Sequence, residues 1–85
     1  MRTMTNGPDS SDDGVVHIDV RGLVPPQPLV AIMRLLTSVD EGTDVIAHLD
    51  RDPVMLYPEL ERIGWQAEPV PADEGEVRLK LRRVV

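Results

Sequence analysis

The chain has no cysteine and no phenylalanine, and one tyrosine and one tryptophan are its only residues of the large aromatic class. Without a thiol there is no disulfide, no thiolate metal ligand and no sulfur nucleophile. A chain free of cysteine suits the reducing cytoplasm, which is the expected location. Two large rings are too few for a platform on which nucleic-acid bases stack. No apolar run approaches the ~18 residues that a membrane span requires, and the first residues are polar where a secretion signal needs an apolar stretch. Cations are also scarce: nine Lys and Arg stand against fifteen Asp and Glu, a formal net charge of −6. That balance argues against nucleic acid, whose binding rests on neutralised phosphates, and against an anionic membrane surface.

Eighty-five residues make one small domain. Residues 1–14 hold Arg2 against Asp9, Asp12 and Asp13, with two glycines, a proline and no apolar period. They read as a disordered leader, which leaves residues 15–85 for the fold. The remaining charge is uneven: Gln66 to Glu76 contains acidic residues and no basic one, Val77 to Val85 the reverse. Two such stretches facing each other across a hairpin offset one another.

Val15 to Val20 alternates, with Val16, Ile18 and Val20 on one face and His17 and Asp19 on the other, the period of a half-buried strand. Arg21-Gly22 ends it, and prolines at 25, 26 and 28 forbid a ladder. Pro28 suits a first helical turn, and from there to about Val39 the period becomes helical, with Leu29, Ile32, Met33, Leu36 and Val39 on one face. Asp44 to Leu49 alternates again. Asp50-Arg51-Asp52-Pro53 is turn chemistry, and a second helix starts near Leu56, with Pro58 in its first turn and Leu56, Leu60 and Ile63 as its stripe. Gly64 is a natural residue just past a helix end, with Trp65 packing back on Leu60. Gln66 to Val70 is extended, and Pro69 confines it to a sheet edge. Val77 to Arg82 alternates apolar and cationic residues throughout. The predicted fold is α+β: a two-layer βαβαββ sandwich with a mixed four-stranded sheet in the order 1-2-4-3 and both helices on one face.

Ile18-Asp19-Val20-Arg21-Gly22-Leu23 followed by Pro25-Pro26-Gln27-Pro28 resembles the opening of the TusA/SirA-like sulfur carriers. Those proteins have Cys-Pro-x-Pro, and their cysteine holds a persulfide for sulfur transfer; here Pro25 stands at the cysteine position. Asp50-Arg51-Asp52-Pro53, Leu56-Tyr57 and Gly64-Trp65 resemble a cysteine-less branch of that superfamily known only as a domain of unknown function. Members of the branch often have His-Asp-Pro where this chain has Arg51-Asp52-Pro53. The resemblance spans Ile18 to Arg82 and implies the βαβαββ architecture that the periodicities give independently.

Persulfide chemistry needs a thiolate, and none exists. The expected function is therefore a non-catalytic binding or adaptor domain that acts through a protein partner in a sulfur, redox or metal-related pathway. One alternative is a small-molecule or anion receptor using a pocket before the first helix, with Asp19, Arg21, Pro25, Pro26, Pro28 and Asp52 as ligand-binding candidates. For Pro25 to Pro28 the simpler reading is a rigid lead-in to the helix. Another alternative is an RNA contact through the basic face of Arg78, Lys80 and Arg82, which equally reads as cover for the open sheet face. Asp50 and Asp52 read better as turn residues than as an acid/base pair. His17, His48 and Asp19 share the open face and suggest a metal or pH-sensitive patch, or plain solvated positions; they match no metal motif, and neither metal nor cofactor is assigned. A monomer is expected, with edge-strand dimerisation open to the unpaired first strand.

Overall fold

The computed structural model describes residues 15–40 and 42–84, so the leader expected over residues 1–14 lies outside the described residues. The alternation from Val15 forms β1 (Val15–Asp19), which lies parallel to β2 (Asp44–Leu49). Parallel neighbours need a crossover, and α1 (Gln27–Leu36) supplies it. α2 (Leu56–Arg62) leads into β3 (Trp65–Val70), and β4 (Val77–Arg83) then inserts between β2 and β3, antiparallel to both. The order is β1-β2-β4-β3. Pro69 explains the last position, because a residue with no N–H is tolerated only where one side of the strand has no ladder to make.

Alternation decides what the sheet buries. Val45, Ala47 and Leu49 of β2 and Leu79 and Leu81 of β4 are almost fully buried, while Ile46, His48, Arg78 and Lys80 between them are not. The buried set forms one cluster with Ile32 and Leu36 of α1 and Leu56 and Leu60 of α2, which places both helices on the same face. Each large aliphatic side chain removed from water there contributes ~1.5–3 kcal/mol. Among the described residues no helix covers the opposite face.

α1 ends at Leu36 and not near Val39. The cause is local: the Thr37 hydroxyl donates to Arg34 O at 2.8 Å and the Ser38 hydroxyl to Leu35 O at 2.9 Å. Hydroxyls that claim the last carbonyls offer the backbone an alternative to another helical turn. Val39 still packs against the core from the turn that follows. α2 closes as its sequence suggests, with Gly64 at φ 79° accepting the left-handed conformation and its N–H donating to Glu61 O. Trp65, 3 % exposed, belongs to the core and opens β3, one residue earlier than the alternation alone places it. Arg83 extends β4 by one residue, pairs with Trp65 across the ladder and sets its guanidinium 5.2 Å from the indole.

Candidate functional site

Because β1 and β2 run parallel, the loops that leave them emerge at the same end of the sheet. The first loop turns at Gly22 (φ 85°) and climbs through the prolines to α1; the second runs through Asp50 to Met55 into α2. The loops are tied together where they start: Gly22 N–H donates to Asp50 Oδ2 at 3.0 Å, and Val20 N–H to His48 O at 2.9 Å. Between them lies a cleft of about 280 Å³. Pro25, Pro26 and Pro28 form one side and Val54 and Met55 the other, over the buried side chains of Val20, Ile32 and Leu49.

A helix N-terminus ordinarily offers unpaired N–H groups to an anion. Here proline removes the donors of residues 26 and 28, Gln27 N–H donates to Val24 O at 2.8 Å, and Val30 N–H donates to Pro26 O at 3.1 Å. The head of α1 therefore presents rings and the N–H of Leu29 in place of the usual set of donors. Carboxylates stand at the border of the cleft: Asp50, engaged by Gly22, and Asp52, which accepts the Tyr57 hydroxyl at 2.6 Å. The surroundings are apolar, with Leu23, Val24, Val54 and Met55 at 40, 64, 64 and 70 % exposure.

The structure divides the predicted ligand-binding set. Pro25, Pro26, Pro28 and Asp52 line the cleft. Asp19 and Arg21 do not; they bind each other in a fork, Nε to Oδ1 at 2.9 Å and Nη2 to Oδ2 at 2.7 Å. Val54 and Met55 are the cleft residues that sequence reasoning misses, although a Val-Met pair left inside a polar turn is a visible signal.

On the open face, Glu76 is the organising residue, and the sequence presents it only as the end of an acidic turn. Its side chain is 5 % exposed. It accepts Arg78 Nε and Nη2, both at 3.1 Å, and meets His48 Nδ1 at 2.7 Å, with Arg21 Nη1 at 3.8 Å. Lys80 pairs with Asp44 of the neighbouring strand at 3.7 Å, as the cross-strand reading expects. Arg78 instead takes its partner from two residues before it. Arg82 alone of the basic row has no ion-pair partner among the described residues. No group of three or more His, Asp or Glu side chains is arranged to hold a metal ion among the described residues.

Residues 17–83 match the profile of a family described as "Uncharacterized conserved protein (DUF2249)". The chain belongs to this family. Among solved structures, the SirA-like protein from Desulfitobacterium hafniense is 26% identical to this DUF2249 chain, with a TM-score of 0.68 over 78% of this chain and 93% of that one. No curated protein matches the chain. The likeness read from Ile18–Leu23 and Pro25–Pro28 therefore holds for the fold: this chain, which has no cysteine, has a SirA-like fold.

Two titrations check the DUF2249 domain's geometry. Burial, and then the hydrogen bond to Asp52, push the Tyr57 hydroxyl up to about 12 from 10.0. Tyr57 is the only tyrosine, so tyrosinate absorbance should rise with a midpoint near that value, and Asp52→Asn should bring it back toward 10.0. Between those two values the folded state holds a proton that the unfolded state has lost, so stability falls as pH rises through the window. A midpoint near 10.0 in the native protein would show that the hydroxyl is free.

Glu76 behaves in the opposite sense. The hydrogen bonds from Arg78, and then from His48, hold its carboxyl down at about 2 against an ordinary 4.5. Its pairing thus contributes in full above 4.5 and is lost as pH falls toward 2, because the unfolded chain takes up the proton first. Acid denaturation followed by circular dichroism should show stability falling through this window, and Glu76→Gln should flatten that dependence. An unchanged slope in the variant would place the acid-sensitive group elsewhere.

Proposed function

We propose that this DUF2249 domain is a non-catalytic binding module whose cleft receives an apolar side chain from a protein partner. The observation that carries the reading is the pair Val54 and Met55, 64 and 70 % exposed beside a cleft of about 280 Å³. That volume falls just below the range of ligand sites, ~300–1,000 Å³, and accommodates one large side chain. A small molecule of that size covers only the inner sides of Val54 and Met55, whereas a protein surface covers the cleft and the outer, exposed parts of both together. Methionine suits such a role because its unbranched, polarizable side chain adapts to what it meets.

The other readings find less support. An anion meets proline rings at the head of α1 and, on the loop after β2, two carboxylates with one cation, Arg51, which already faces Asp50 at 3.8 Å. RNA meets a basic row in which Arg78 and Lys80 already have acidic partners, on a chain of net charge −6. The resemblance of Ile18–Leu23 and Pro25–Pro28 to the TusA/SirA-like sulfur carriers is what supports a sulfur, redox or metal-related setting for the partner. We place the domain in the cytoplasm, in keeping with its lack of cysteine; no helix among the described residues is long and apolar enough to cross a membrane.

Selection of random displayed peptides on the immobilised domain tests the reading without a known partner. The selected sequences should share one large apolar residue and should be competed off by one another. Selected peptides that are acidic, lack an apolar anchor and lose binding on substitution of Arg82 would overturn it in favour of the open face. Selection of nothing, with saturable binding of small apolar molecules, would make the cleft a small-molecule receptor.

A further inference from the structure

The open sheet face carries a second arrangement, independent of the cleft. His17 of β1 and His48 of β2 approach to 3.1 Å, Nδ1 to Nε2. Their ring centroids are 5.4 Å apart, with planes 27° from parallel. That separation matches the nitrogen–nitrogen distance plus the two ring radii, so the nitrogens lie on the line between the rings and point at each other. Such a head-on approach is the geometry of an N–H···N hydrogen bond. It does not suit a chelate, in which two lone pairs converge on a third point.

The proton positions follow from the far end. Glu76 Oε2 lies 2.7 Å from His48 Nδ1 and also accepts from Arg78 Nε at 3.1 Å. An ionised carboxylate only accepts, so His48 carries its proton on Nδ1 and its Nε2 is an acceptor. His17 must then donate from Nδ1, which leaves the lone pair of His17 Nε2 on an exposed residue. This is the logic by which a hydrogen bond at one imidazole nitrogen fixes the role of the other.

We infer that Glu76, His48 and His17 form one proton-accepting relay whose working atom is His17 Nε2, a base site on the sheet face away from the cleft. Its ligand class is a weak O–H or N–H acid. The acid's proton binds the Nε2 lone pair, and the bonding electrons stay with the departing conjugate base. The Nδ1 proton of His17 passes to His48 Nε2, leaving His17 neutral with its proton on Nε2. The positive charge then rests on His48, against the Glu76 carboxylate. The surrounding charges leave room for this transfer. Asp19 and Arg21 bind each other, Arg78 is matched by Glu76, and Lys80, which shares a sheet row with His17 through Ile46, is held by Asp44. Asp73, in the turn before β4, adds a further negative charge acting on Arg21 and Arg78.

Long-range proton–nitrogen correlation spectra of the full ¹⁵N-labelled chain test the relay, since the protein has only two histidines. Above the pH at which both rings are neutral, both should carry the proton on Nδ1, although free imidazole side chains favour Nε2–H. In His48→Phe, His17 loses its acceptor and should revert to Nε2–H, with the amide spectrum confirming that the fold is kept. Glu76→Gln should shift the His17 nitrogens although the two side chains do not touch. At that same pH, with both rings neutral, an Nε2–H form at either histidine in the unaltered protein would overturn the relay, and this result needs no variant. So would a His17 signal indifferent to both substitutions.

Discussion

Leu79→Ala should cost ~2–5 kcal/mol, the range for a buried leucine cut back to a methyl group, whereas Lys80→Ala, one residue along the same strand, should cost well under ~1 kcal/mol. The contrast follows from alternation on β4: Leu79 is 1 % exposed inside the cluster shared with both helices. Lys80 points to the open face, where its side chain is 37 % exposed and its pairing with Asp44 at 3.7 Å is screened by water. A domain of about 70 residues has roughly 4–10 kcal/mol of stability in all. The leucine change therefore removes a large share of it and at the upper end leaves little folded protein. Urea denaturation followed by fluorescence of Trp65, the only tryptophan and a core residue, reads both variants. Comparable losses at the two positions would mean that the strand is covered on both faces.

Met55→Asp should weaken binding of an apolar-anchored peptide by roughly thirtyfold or more, the ~2 kcal/mol that separates an anchor contact from the rest of an interface. Carrying a charge into the mouth of an apolar cleft costs desolvation, and Arg51, the cation in the lining, is 73 % exposed and already faces Asp50, so it returns little of that cost. The fold should not suffer, because Met55 is 70 % exposed. Arg82→Asp, a charge reversal on the opposite face, should change the same affinity by less than about twofold, the scale of an uninvolved surface site. Titration calorimetry on both variants separates the faces. Equal losses would place the contact elsewhere, and a larger loss at Arg82 would move it to the basic row.

Much of the fold is legible in the sequence because single residues carry decisive constraints. Pro69 alone sends β3 to an edge, and the clean alternation of Val77 to Arg82 requires β4 to have one wet side. The end of α1 is less legible: Val39 continues the apolar period, yet the Thr37 and Ser38 hydroxyls take the terminal carbonyls first. The cleft is half legible. Nearness in sequence groups Asp19 and Arg21 with the prolines, but alternation already sends Asp19 to the open face, and Arg21 follows it through the forked ion pair. Glu76 is illegible for a different reason. Its burial depends on how the β3–β4 turn brings it against His48, a residue 28 positions away, and no local pattern encodes that meeting.

The absence of cysteine and the SirA-like fold meet on one surface. The head of α1 is closed by prolines and bordered by exposed valine and methionine. Amide shift mapping of the ¹⁵N-labelled domain with a selected peptide tests that junction most directly. The account predicts perturbations concentrated from Leu23 to Leu29 and from Asp50 to Leu56, with the amides of β4 around Lys80 unmoved. Perturbations along Arg78 to Arg82, with the two loops silent, would contradict it.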